Sequence, residues 1–559
     1  MAFLTVHFAE RETPFKLKIE TPCSAFEAYN QACKLCGIAP RTRNCANGTC
    51  GKCRARISGR LSDKTQEELQ KLSGQELASG VRLLCQTEIL GDAEIFASTA
   101  DSSDLAAGKM QIVSAGFGLG GRIADYSDYS GFGVAIDLGT TTIAGLLFKA
   151  GADKPLSSAV MPNPQRVYGT DVISRISASL EGRSAELFKL VCGAIDTLIE
   201  ELCKKAGAAA SDVSRISISA NTTMLYLLTE RDCTSISKSP FSADCLFGFS
   251  LEAGNLNGNC EGLKAVDKAA SVYLLPCVSA FIGADTVACI LSLNIEASSR
   301  AAVIADLGTN SEMVLFVPAE NGKQAEIICT SSAAGPAFEG ANISCGMCAI
   351  DGAIENIALV NGKAEFSVIG GAKSSGLCGS GLLDAVSVLR QLGQIDESGT
   401  ILVSDCADDE EEIFETVAEA GGAKAVLFKD ASTEISLSQN DVRAFQLAKA
   451  SLCAGLECLA SKAQINAHSI GSLYLAGGFA KSFSVQNAVC VGLFPDGMAQ
   501  NVKYCGNASL MGAALALQDK TAPAKATAIV QKAIVFELGG SKLFQELFIK
   551  CMALKPQKL

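Results

Sequence analysis

Four cysteines near the start of the chain have a spacing that suits metal binding. Three of them, Cys45, Cys50 and Cys53, fall in the stretch "CANGTCGKC", and Cys85 follows further along, in "VRLLCQTEI". Ionised thiols are ligands for iron and zinc, and the two glycines within the stretch allow a loop that turns tightly and directs backbone N–H groups at sulfur. The chain is therefore expected to hold a four-cysteine metal centre.

The spacing C-x4-C-x2-C, completed by a distant fourth cysteine, is that of plant-type [2Fe–2S] clusters. The alternative is a zinc site, which prefers paired C-x2-C knuckles and could combine Cys33 and Cys36 with Cys50 and Cys53. Cys33 and Cys36 fall in a predicted helix, on one face of it, where packing in the core explains them. We therefore predict that the four cysteines of the first motif hold a [2Fe–2S] cluster.

Two stretches deeper in the chain share the tetrapeptide D-L-G-T. "VAIDLGTTTIAGLLF" spans 134–148 and contains Asp137, and "VIADLGTNSEMVLF" spans 303–316 and contains Asp306. Each stretch predicts an apolar strand, a tight polar turn and a second strand. The turn can approach phosphate closely and offers hydroxyl, amide and backbone donors, while each aspartate can hold hydrated Mg²⁺ or orient an attacking water. The predicted phosphate-binding residues are Gly139, Thr140, Thr141, Thr142, Gly308, Thr309 and Asn310.

One copy of this pattern could be an ordinary β-hairpin, but two copies at domain-scale spacing indicate homologous halves that face each other across a cleft. A third stretch, "SLYLAGGFAKSF", predicts a strand running into Gly477 and Gly478, which suit flat contact with an adenosine. Two Gly-rich stretches, "AGPAFEGANISCG" and "GLCGSGLLDA", predict turns that enter helices, whose N-termini can meet anions. The second of these contains Gly379 and Ser380. Together the stretches predict an ATP site.

Hydrophobic patterning indicates the elements that position these groups. "FLTVHFAE" and "FKLKIET" alternate like the strands of a hairpin, and "SAFEAYNQACKLCG" has the period of an amphipathic helix, so residues 1–95 are expected to form one domain. Residues 96–131, rich in Gly, Ser and Asp, are expected to be a linker. Residues 132–559 are expected to form the ATPase domain, with halves at about 132–300 and 301–520 and a C-terminal extension.

The composition is that of a globular protein with more than one domain. Hydrophobic residues make up 48% and charged residues 19% of the 559 residues, which is enough apolar surface for several cores. No apolar run reaches the roughly 18 residues that a membrane helix needs, and charged residues within the first dozen positions argue against a signal peptide. We therefore expect a cytoplasmic protein without membrane association, in which most of the 24 cysteines are thiols.

Charge is distributed unevenly along the chain. The net charge is −12, yet residues 1–95 contain 13 Lys/Arg against 11 Asp/Glu, which gives +2 there and −14 for the remainder. An acidic chain of this kind lacks the basic surface of a nucleic-acid-binding protein. Six cations with no acidic residue among them define what we call the cation rim: Arg41, Arg43, Lys52, Arg54, Arg56 and Arg60. The rim is expected to face an electron-transfer partner, because complementary charge raises the encounter rate.

The order of these motifs resembles the superfamily of acetate and sugar kinases, actin and heat-shock chaperone ATPases (ASKHA), which carries phosphate-1, phosphate-2 and adenosine motifs on duplicated RNase-H-like halves. With the cysteine loop in front, the whole chain is similar to the reductive activators of corrinoid proteins, which place a β-grasp [2Fe–2S] ferredoxin domain and a short linker before such an ATPase. Further matching stretches are "NPQRVYGTDVISRI", "ANTTM", "LLPCVSAFIGADTVA" and "QLAKASLCAGLECLA". The expected fold class is therefore multidomain, α/β and α+β.

The resemblance implies a function, cofactors and partners. Such activators use a [2Fe–2S] cluster, ATP and Mg²⁺ to return one electron to a corrinoid protein whose Co(I) has been oxidised to inactive Co(II), so that methyl transfer resumes. Asp137 and Asp306 would be the catalytic carboxylates. The implied partners are a corrinoid protein, an upstream low-potential electron donor and a second copy of the chain in a homodimer. Relatives commonly carry a small middle domain, yet only a short stretch separates Ile95 from Val134, so this domain is expected to be missing.

Two other functions fit the same residues. One is an electron activator of the 2-hydroxyacyl-CoA dehydratase type, which shares the ATPase fold but holds a [4Fe–4S] cluster between two subunits and lacks a ferredoxin domain. The other is a small-molecule kinase whose N-terminal domain senses redox state, which would need a carboxylate placed against a substrate hydroxyl. A non-catalytic scaffold is disfavoured because both D-L-G-T aspartates are present.

Overall fold

The structure, a computed structural model, describes most of the chain. The described residues are 2–8, 13–36, 53–72, 74–96, 119, 121–308, 310–320, 322–371, 373–403, 413–419, 422–430, 433–477 and 484–557. Four predicted site residues lie outside these ranges, namely Cys45, Cys50, Thr309 and Gly478. Three members of the cation rim also lie outside them: Arg41, Arg43 and Lys52.

The chain divides into two compact units. The first consists of Met1–Gly108 and Asn163–Arg183, and the second of Lys109–Pro162 and Ser184–Leu559. This division differs from the predicted domains in two respects. The predicted linker, 96–131, is divided between the units after Gly108, and Asn163–Arg183, which was expected within the ATPase domain, groups with the N-terminal residues.

A mixed six-stranded sheet forms the framework of the first unit. The strands of this unit are β1 (Ala2–His7), β2 (Phe15–Ile19), β3 (Cys23–Ser24), β4 (Arg54–Leu61), β5 (Val81–Leu83) and β6 (Glu88–Phe96). The helices of this unit are α1 (Ala25–Leu35), α2 (Gln66–Lys71), α3 (Gly74–Ala78) and α4 (Val172–Ala178). The spatial order is β2-β1-β6-β4-β5, with β3 paired to β6, and β1 runs parallel to β6. The predicted hairpin is confirmed by the antiparallel pairing of β1 with β2, and the predicted helix is confirmed as α1.

The apolar period of each element explains how α1 and the sheet join. Alternation along β1 sends Leu4 and Val6 to one face of the sheet, where both are fully buried. The helical period of α1 places Phe26 and Tyr29 in the same hydrophobic cluster. Burying an apolar side chain of this size stabilises a fold by about 1.5–3 kcal/mol. This packing supports the sheet whose strands β4 and β5 adjoin the two described cysteines of the predicted metal centre.

The second unit is larger and alternates strands with helices. Its strands are β7 (Phe132–Leu138), β8 (Thr142–Lys149), β9 (Ser157–Pro162), β10 (Val213–Ala220), β11 (Phe249–Glu252), β12 (Ser271–Leu274), β13 (Ala301–Leu307), β14 (Ser311–Val317), β15 (Glu326–Ser332), β16 (Ala353–Val360), β17 (Lys363–Val368), β18 (Gly376–Leu377), β19 (Glu415–Glu419), β20 (Gly422–Lys429), β21 (Glu434–Ser438), β22 (Ile470–Ala476), β23 (Val502–Gly506) and β24 (Ala533–Val535). Its helices are α5 (Ser184–Ala206), α6 (Thr222–Leu228), α7 (Thr234–Ser237), α8 (Ala284–Leu293), α9 (Gly379–Gln391), α10 (Gln439–Lys462), α11 (Val485–Cys490), α12 (Ala508–Gln518), α13 (Ala522–Lys532) and α14 (Lys542–Cys551).

Two sheets of the second unit share one plan. Their spatial orders are β11-β12-β10-β7-β8-β9 and β23-β22-β13-β14-β15-β24. In each, three consecutive strands form an antiparallel meander, and two later strands extend the sheet in parallel from the first strand of that meander. The duplication predicted from the repeated D-L-G-T is therefore confirmed. Two three-stranded sheets, β17-β16-β18 and β19-β20-β21, are separate from these.

Each large sheet is completed by a helix from the other half of the chain. Helix α8, which precedes β13, packs its apolar residues with those of the second sheet in one cluster. Helix α12, which lies near the C-terminus, packs instead with residues of β7 and β8 in the first sheet. The two helices also meet each other closely, since a Cβ on Gly512 would lie 2.2 Å from the carbonyl oxygen of Ala288. Only glycine allows that approach.

The end of the predicted linker and the predicted C-terminal extension are both bound into the second unit, which the sequence did not indicate. The end of the predicted linker is fastened to the second unit, where the Ala124 N–H donates to Asp519 Oδ2 over 3.0 Å and the Ser127 N–H donates to the Gln518 carbonyl over 2.8 Å. The predicted C-terminal extension supplies β24, which pairs parallel to β15 and so belongs to the second sheet. Among the described residues, no helix has the length and apolar character needed to cross a membrane.

Candidate active site and metal centre

The two D-L-G-T aspartates occupy equivalent places in the two sheets. Asp137 is the second-last residue of β7 and Asp306 the second-last residue of β13, and both are partly exposed between neighbours that are almost fully buried. In each sheet a parallel strand runs beside the aspartate, with Ser219 paired to Asp137 and Ala476 paired to Asp306. The fold thus presents both carboxylates at the carboxyl ends of parallel strands, where α/β sheets bind ligands.

Asp137 is held by side chains from the far end of the chain. Its Oδ2 accepts a hydrogen bond from Asn507 Nδ2 and its Oδ1 accepts one from Ser509 Oγ, both over 2.7 Å. Asn507 also caps α12, because its Oδ1 accepts from the Leu510 N–H over 2.8 Å. Burial raises the pKa of the Asp137 carboxyl, and these two hydrogen bonds oppose that rise. The start of α12 therefore fixes the orientation of this carboxylate.

Two further carboxylates, which the sequence analysis missed, join the pair. Asp285 lies in the first turn of α8, where its Oδ1 accepts from the Thr286 N–H over 2.7 Å, and Glu312 lies directly across from Asp306 in the β13–β14 register. Desolvation and the charge of Asp137 raise the pKa of Asp285 to about 6. Desolvation, followed by the charges of Asp285 and Asp137, raises the pKa of Asp306 to about 7, and the pKa of Glu312 is also well above its ordinary value.

Four carboxylates whose charges raise one another's pKa values form a site suited to a divalent cation. Carboxylate oxygens are the ligands that Mg²⁺ prefers, and Mg²⁺ in nucleotide sites is held by one or two carboxylates together with water and phosphate oxygens. The donor set therefore fits the predicted Mg²⁺. Asp285 could have been suspected from its place in "LLPCVSAFIGADTVA", whereas Glu312 becomes visible only through the strand register.

The turn after β7 has the geometry expected of a phosphate-binding turn. A Cβ on Gly139 would lie 2.7 Å from the carbonyl oxygen of Thr142, so the tight turn requires glycine. The side chain of Thr140 accepts a hydrogen bond from Asn221 Nδ2 over 3.0 Å, and Thr141 is partly exposed. Asn221 also caps α6, which joins the turn to the neighbouring helix of the same sheet. The turn therefore supplies backbone and hydroxyl donors for a phosphate within a few residues of Asp137.

The turn after β13 and the end of β22 meet. Gly477 follows β22 with a φ of +90°, and a Cβ there would lie 2.8 Å from Asp306 Oδ1 and 2.9 Å from the Leu307 carbonyl oxygen. At Gly308 the constraint is weaker, because a Cβ would lie 3.2 Å from the carbonyl oxygen of Asn310. The structure therefore brings the predicted adenosine stretch against the second D-L-G-T turn, as the motif order requires.

The two Gly-rich stretches behave differently from each other. Gly379 and Ser380 begin α9 as predicted, but both are buried, and the Ser380 hydroxyl lies 3.2 Å from the Cys378 thiol. The stretch "AGPAFEGANISCG" does not enter a regular α-helix, so that prediction was wrong. It forms one 3₁₀ turn, Pro336–Glu339, which ends at Gly340 in the left-handed region with a φ of +76°. This positive φ takes the chain out of the helical conformation, and only glycine fits there, because a Cβ would lie 2.3 Å from the carbonyl oxygen of Met347.

At the N-terminal end of the chain, the two described cysteines of the predicted metal centre lie side by side. Cys53 directly precedes β4, Cys85 lies in a 3₁₀ turn directly after β5, and the antiparallel pairing of β4 with β5 brings them together. Their Sγ atoms are 3.2 Å apart, too far for a disulfide, and the Cys85 N–H points at Cys53 Sγ over 3.4 Å. Adjacent thiols with a backbone donor aimed at sulfur fit a cluster ligand pair. Cys33 of the alternative zinc set is fully buried in the core.

A buried ion pair supports the segment that follows β5. Glu68 accepts two hydrogen bonds from Arg82, each over 2.8 Å, one from the Leu83 N–H over 2.9 Å and one from Thr87 Oγ1 over 3.3 Å. It also closes a capping box with Thr65 at the start of α2. Desolvation pushes the pKa of Glu68 upward, but the hydrogen bonds from Arg82, Leu83 and Thr65 outweigh it and lower that pKa below its ordinary value.

The described part of the cation rim lies on β4. Arg54 and Arg56 occupy alternate exposed positions of the strand, and Arg60 is exposed near its end. Arg54 Nε forms an ion pair with Glu76 over 3.1 Å, and the Arg56 guanidinium lies 4.3 Å from the centre of the Phe96 ring. Two of the rim cations therefore also have partners within their own unit.

Two sheets of one plan, each presenting an aspartate beside a glycine turn, define an ASKHA-type ATPase fold. A family description named "C-terminal domain of RACo the ASKHA domain" matches residues 300–559, and one named "RACo middle region" matches residues 132–298. The second of these matches coincides with the segment predicted to be the first ATPase half.

Individual relatives agree with these family matches. The chain is 30% identical to the "Corrinoid activation enzyme RamQ" of Eubacterium limosum over 75% of this chain and 69% of that protein. It is 26% identical to the "[Co(II) methylated amine-specific corrinoid protein] reductase" of Methanosarcina barkeri over 40% of each. A solved structure, "Reductive activator for corrinoid,iron-sulfur protein", matches with a TM-score of 0.66 and 25% identity over 99% of this chain and 98% of that one. The chain belongs to the RACo family of corrinoid-protein activators.

Proposed function

We propose that this protein uses ATP to activate a corrinoid protein reductively, passing one electron to inactive Co(II) so that Co(I) is restored for methyl transfer. The names of the relatives support this activity, since they are described as a corrinoid activation enzyme and a corrinoid protein reductase. The electron would come from a [2Fe–2S] cluster on Cys45, Cys50, Cys53 and Cys85. The first unit would then be a β-grasp ferredoxin domain.

The observation that carries the proposal is the pair of thiols at 3.2 Å in a chain that also holds the ASKHA carboxylates. A kinase needs the carboxylates and not the thiols, and a simple electron carrier needs the thiols and not the carboxylates. The strand order of the first unit, with its parallel central pair and a helix packed on the sheet, agrees with a ferredoxin domain. When bound, such a cluster supplies a single electron at low potential.

The residues of the second unit have separable tasks in this proposal. Asp137, Asp285 and Glu312 would hold hydrated Mg²⁺, which neutralises phosphate charge when bound. The turn that begins at Gly139 would receive the phosphates through its backbone N–H groups and threonine hydroxyls. Asp306, held less firmly than Asp137, would orient the attacking water, because no hydrogen bond from an amide or hydroxyl occupies its carboxylate among the described contacts.

Coupling to ATP has an energetic reason. Plant-type clusters have potentials near about −400 mV, and Co(II)/Co(I) couples lie lower in most settings. For one electron, each step of about 59 mV uphill reduces the equilibrium constant about tenfold. A nucleotide-dependent conformational change can offset this only by favouring the reduced product state. An upstream low-potential donor, a homodimeric state and a cytoplasmic location belong to the same proposal.

The test is to replace Asp306 by asparagine and follow Co(II) loss and Co(I) formation optically under anaerobic conditions. We expect Asp306→Asn to lose ATP-dependent activation while its iron–sulfur absorption still bleaches with a chemical reductant. Asp125→Asn is the matched control, because that exposed aspartate pairs with Lys520 on the surface of the same unit. Normal activation by Asp306→Asn would refute the assigned role.

The alternatives are separated by what stimulates ATP turnover. Stimulation by a corrinoid protein, with no response to sugars or acetate, is expected of an activator. Stimulation by a small-molecule hydroxyl or carboxylate compound would favour the redox-sensing kinase. Reduction of a 2-hydroxyacyl-CoA dehydratase, with a [4Fe–4S] cluster shared between two chains, would favour that class of activator instead.

A further inference from the structure

Three metal-ligating side chains meet far along the chain from either predicted site, where α10 packs against α14. Cys453 and Glu457 lie one turn apart on the same face of α10, and Cys551 is the last residue of α14. The Sγ atoms of the two cysteines and a carboxylate oxygen of Glu457 all lie within 4.8 Å of one another. One ion of ordinary size could contact all three.

The carboxylate of Glu457 is buried with little hydrogen bonding to its oxygen atoms. Glu457 is 2% exposed, and both cysteines are completely buried. Its Oε1 has the Cys551 thiol at 4.0 Å, whereas its Oε2 accepts no hydrogen bond from the residues that the structure describes. The Lys550 Nζ lies 3.8 Å from Oε2, beyond hydrogen-bond distance. A buried carboxylate oxygen that accepts no hydrogen bond and has only a distant ammonium group nearby is costly, and a bound cation would reduce that cost.

The local charge also favours a cation bound through sulfur. Lys449, one turn before Cys453 on α10, is fully buried, and its Nζ donates to the Ala553 carbonyl over 2.5 Å. Two thiolates and one carboxylate carry three negative charges. A divalent cation and the buried Lys449 ammonium offset all three, and the half-exposed Lys550 ammonium near Glu457 adds one further positive charge. Two sulfurs and one carboxylate oxygen are ligands that Zn²⁺ accepts, whereas Mg²⁺ and Ca²⁺ require oxygen.

We propose that Cys453, Glu457 and Cys551 bind one Zn²⁺ that fastens α14 to α10, with a water or hydroxide as the fourth ligand. Apolar packing between these helices is partial, because the side chains that α14 and its end bring to the contact, namely Phe544, Leu547, Phe548 and Met552, are only partly buried, and few residues of the cluster are fully buried. These are Ala450, Cys453, Ala454 and Cys551, and two of the four are the ligands themselves. This site is independent of the corrinoid function, and its test can succeed or fail without affecting that proposal.

The test uses the full-length protein purified anaerobically, with zinc and iron measured in the same sample and the zinc environment measured by X-ray absorption. We expect one zinc per chain, with two sulfur neighbours at about 2.3 Å and oxygen neighbours at about 2.0–2.2 Å. Glu457→Gln keeps the shape of the side chain and should weaken zinc binding, titrated with Zn²⁺ alone, by more than about tenfold. Iron content should not change.

Cys458→Ala is the matched control, since Cys458 is equally buried on the same helix and is not one of the three ligands. It should retain zinc, while Cys551→Ser should lose it. Zinc with four sulfur neighbours would show that the metal occupies the N-terminal cysteines and would overturn the proposal. A Cys453–Cys551 disulfide in anaerobic protein, or zinc binding that Glu457→Gln leaves unchanged, would overturn it as well.

Discussion

Replacing Glu68 by glutamine removes a buried negative charge that faces Arg82. Glu68 is 0% exposed and Arg82 6%, so neither side chain can recover its hydration in the folded state. Glutamine keeps one acceptor oxygen but places an amide N–H₂ group against the guanidinium or against the Leu83 N–H. The variant therefore leaves a buried cation without its counter-charge, and it loosens the segment that carries Cys85.

The magnitude follows from the burial of the pair. Removing one partner of a buried, hydrogen-bonded ion pair costs about 3–5 kcal/mol, because the remaining charge stays desolvated. At about 1.4 kcal/mol for each factor of ten, local opening of the first unit should become about a hundredfold to a few thousandfold more frequent. Glu76→Gln is the control, because its ion pair with Arg54 is exposed and should contribute less than about 1 kcal/mol.

Hydrogen exchange followed by mass spectrometry measures this effect on the intact protein. Peptides from 53–72 and 81–96 should exchange faster in Glu68→Gln by the factor given above, while peptides from the second unit keep their rates. If Glu68→Gln and Glu76→Gln exchange alike, the buried ion pair does not stabilise the unit as argued.

The same pair predicts a pH dependence with a definite sign. The pKa of Glu68 is lowered in the folded protein, so its contribution to stability is fully present above the pKa of an unfolded glutamate, about 4.3. The contribution declines as the pH falls below that value and through the lowered pKa of the folded state. Wild-type protein should therefore lose more stability in the first unit than Glu68→Gln does as the pH falls from about 4.3 through the lowered pKa of the folded state, whereas the two should respond alike between neutral pH and pH about 5.

Further outcomes are expected at the cluster, the rim and the nucleotide turn. Anaerobically purified protein should contain about two irons and two sulfides per chain. Cys85→Ser should damage its iron–sulfur spectrum, whereas Cys36→Ser should leave that spectrum nearly unchanged. Zinc in place of the iron would contradict the ligand assignment. Arg54→Glu combined with Arg56→Glu should slow association with the corrinoid protein, and added salt should do the same, while ATP turnover without the partner keeps its rate. An association rate that neither the double substitution nor salt changes would place the docking surface elsewhere. Gly477→Ala should weaken nucleotide binding severalfold, because its Cβ would lie 2.9 Å from a backbone oxygen of the neighbouring turn; unchanged affinity would exclude that contact.

The sequence was sufficient to predict those parts of the site whose residues lie within a few positions of one another in the chain. The turns at Gly139 and Gly308 follow from a strand, a glycine and polar residues within a few positions, and the structure has both hairpins. Cys53 and Cys85 meet because β4 and β5 pair, which the hairpin-and-helix pattern made plausible but did not by itself prove. In each of these cases a short period or a spacing carries the information.

The sequence was insufficient where contacts are long-range. Asn507 and Ser509 hold Asp137 from 370 and 372 positions away, and no period or motif links those stretches. Glu312 enters the site only through its register opposite Asp306. Local propensity also misled once, because Pro336–Glu339 begins like a helix and ends where Gly340 takes a left-handed conformation, in a place too tight for any side chain.

The exchange of α8 and α12 between the two large sheets governs how such a chain can be divided. A break near residue 300, where the two family descriptions meet, would separate the first sheet from α12 and the second sheet from α8. Each fragment would expose an apolar sheet face, and the first would also lose the groups that hold Asp137. Although their folds are copies, the halves are obligate partners. An ancestral single half would have needed a second copy of itself to supply the missing helix.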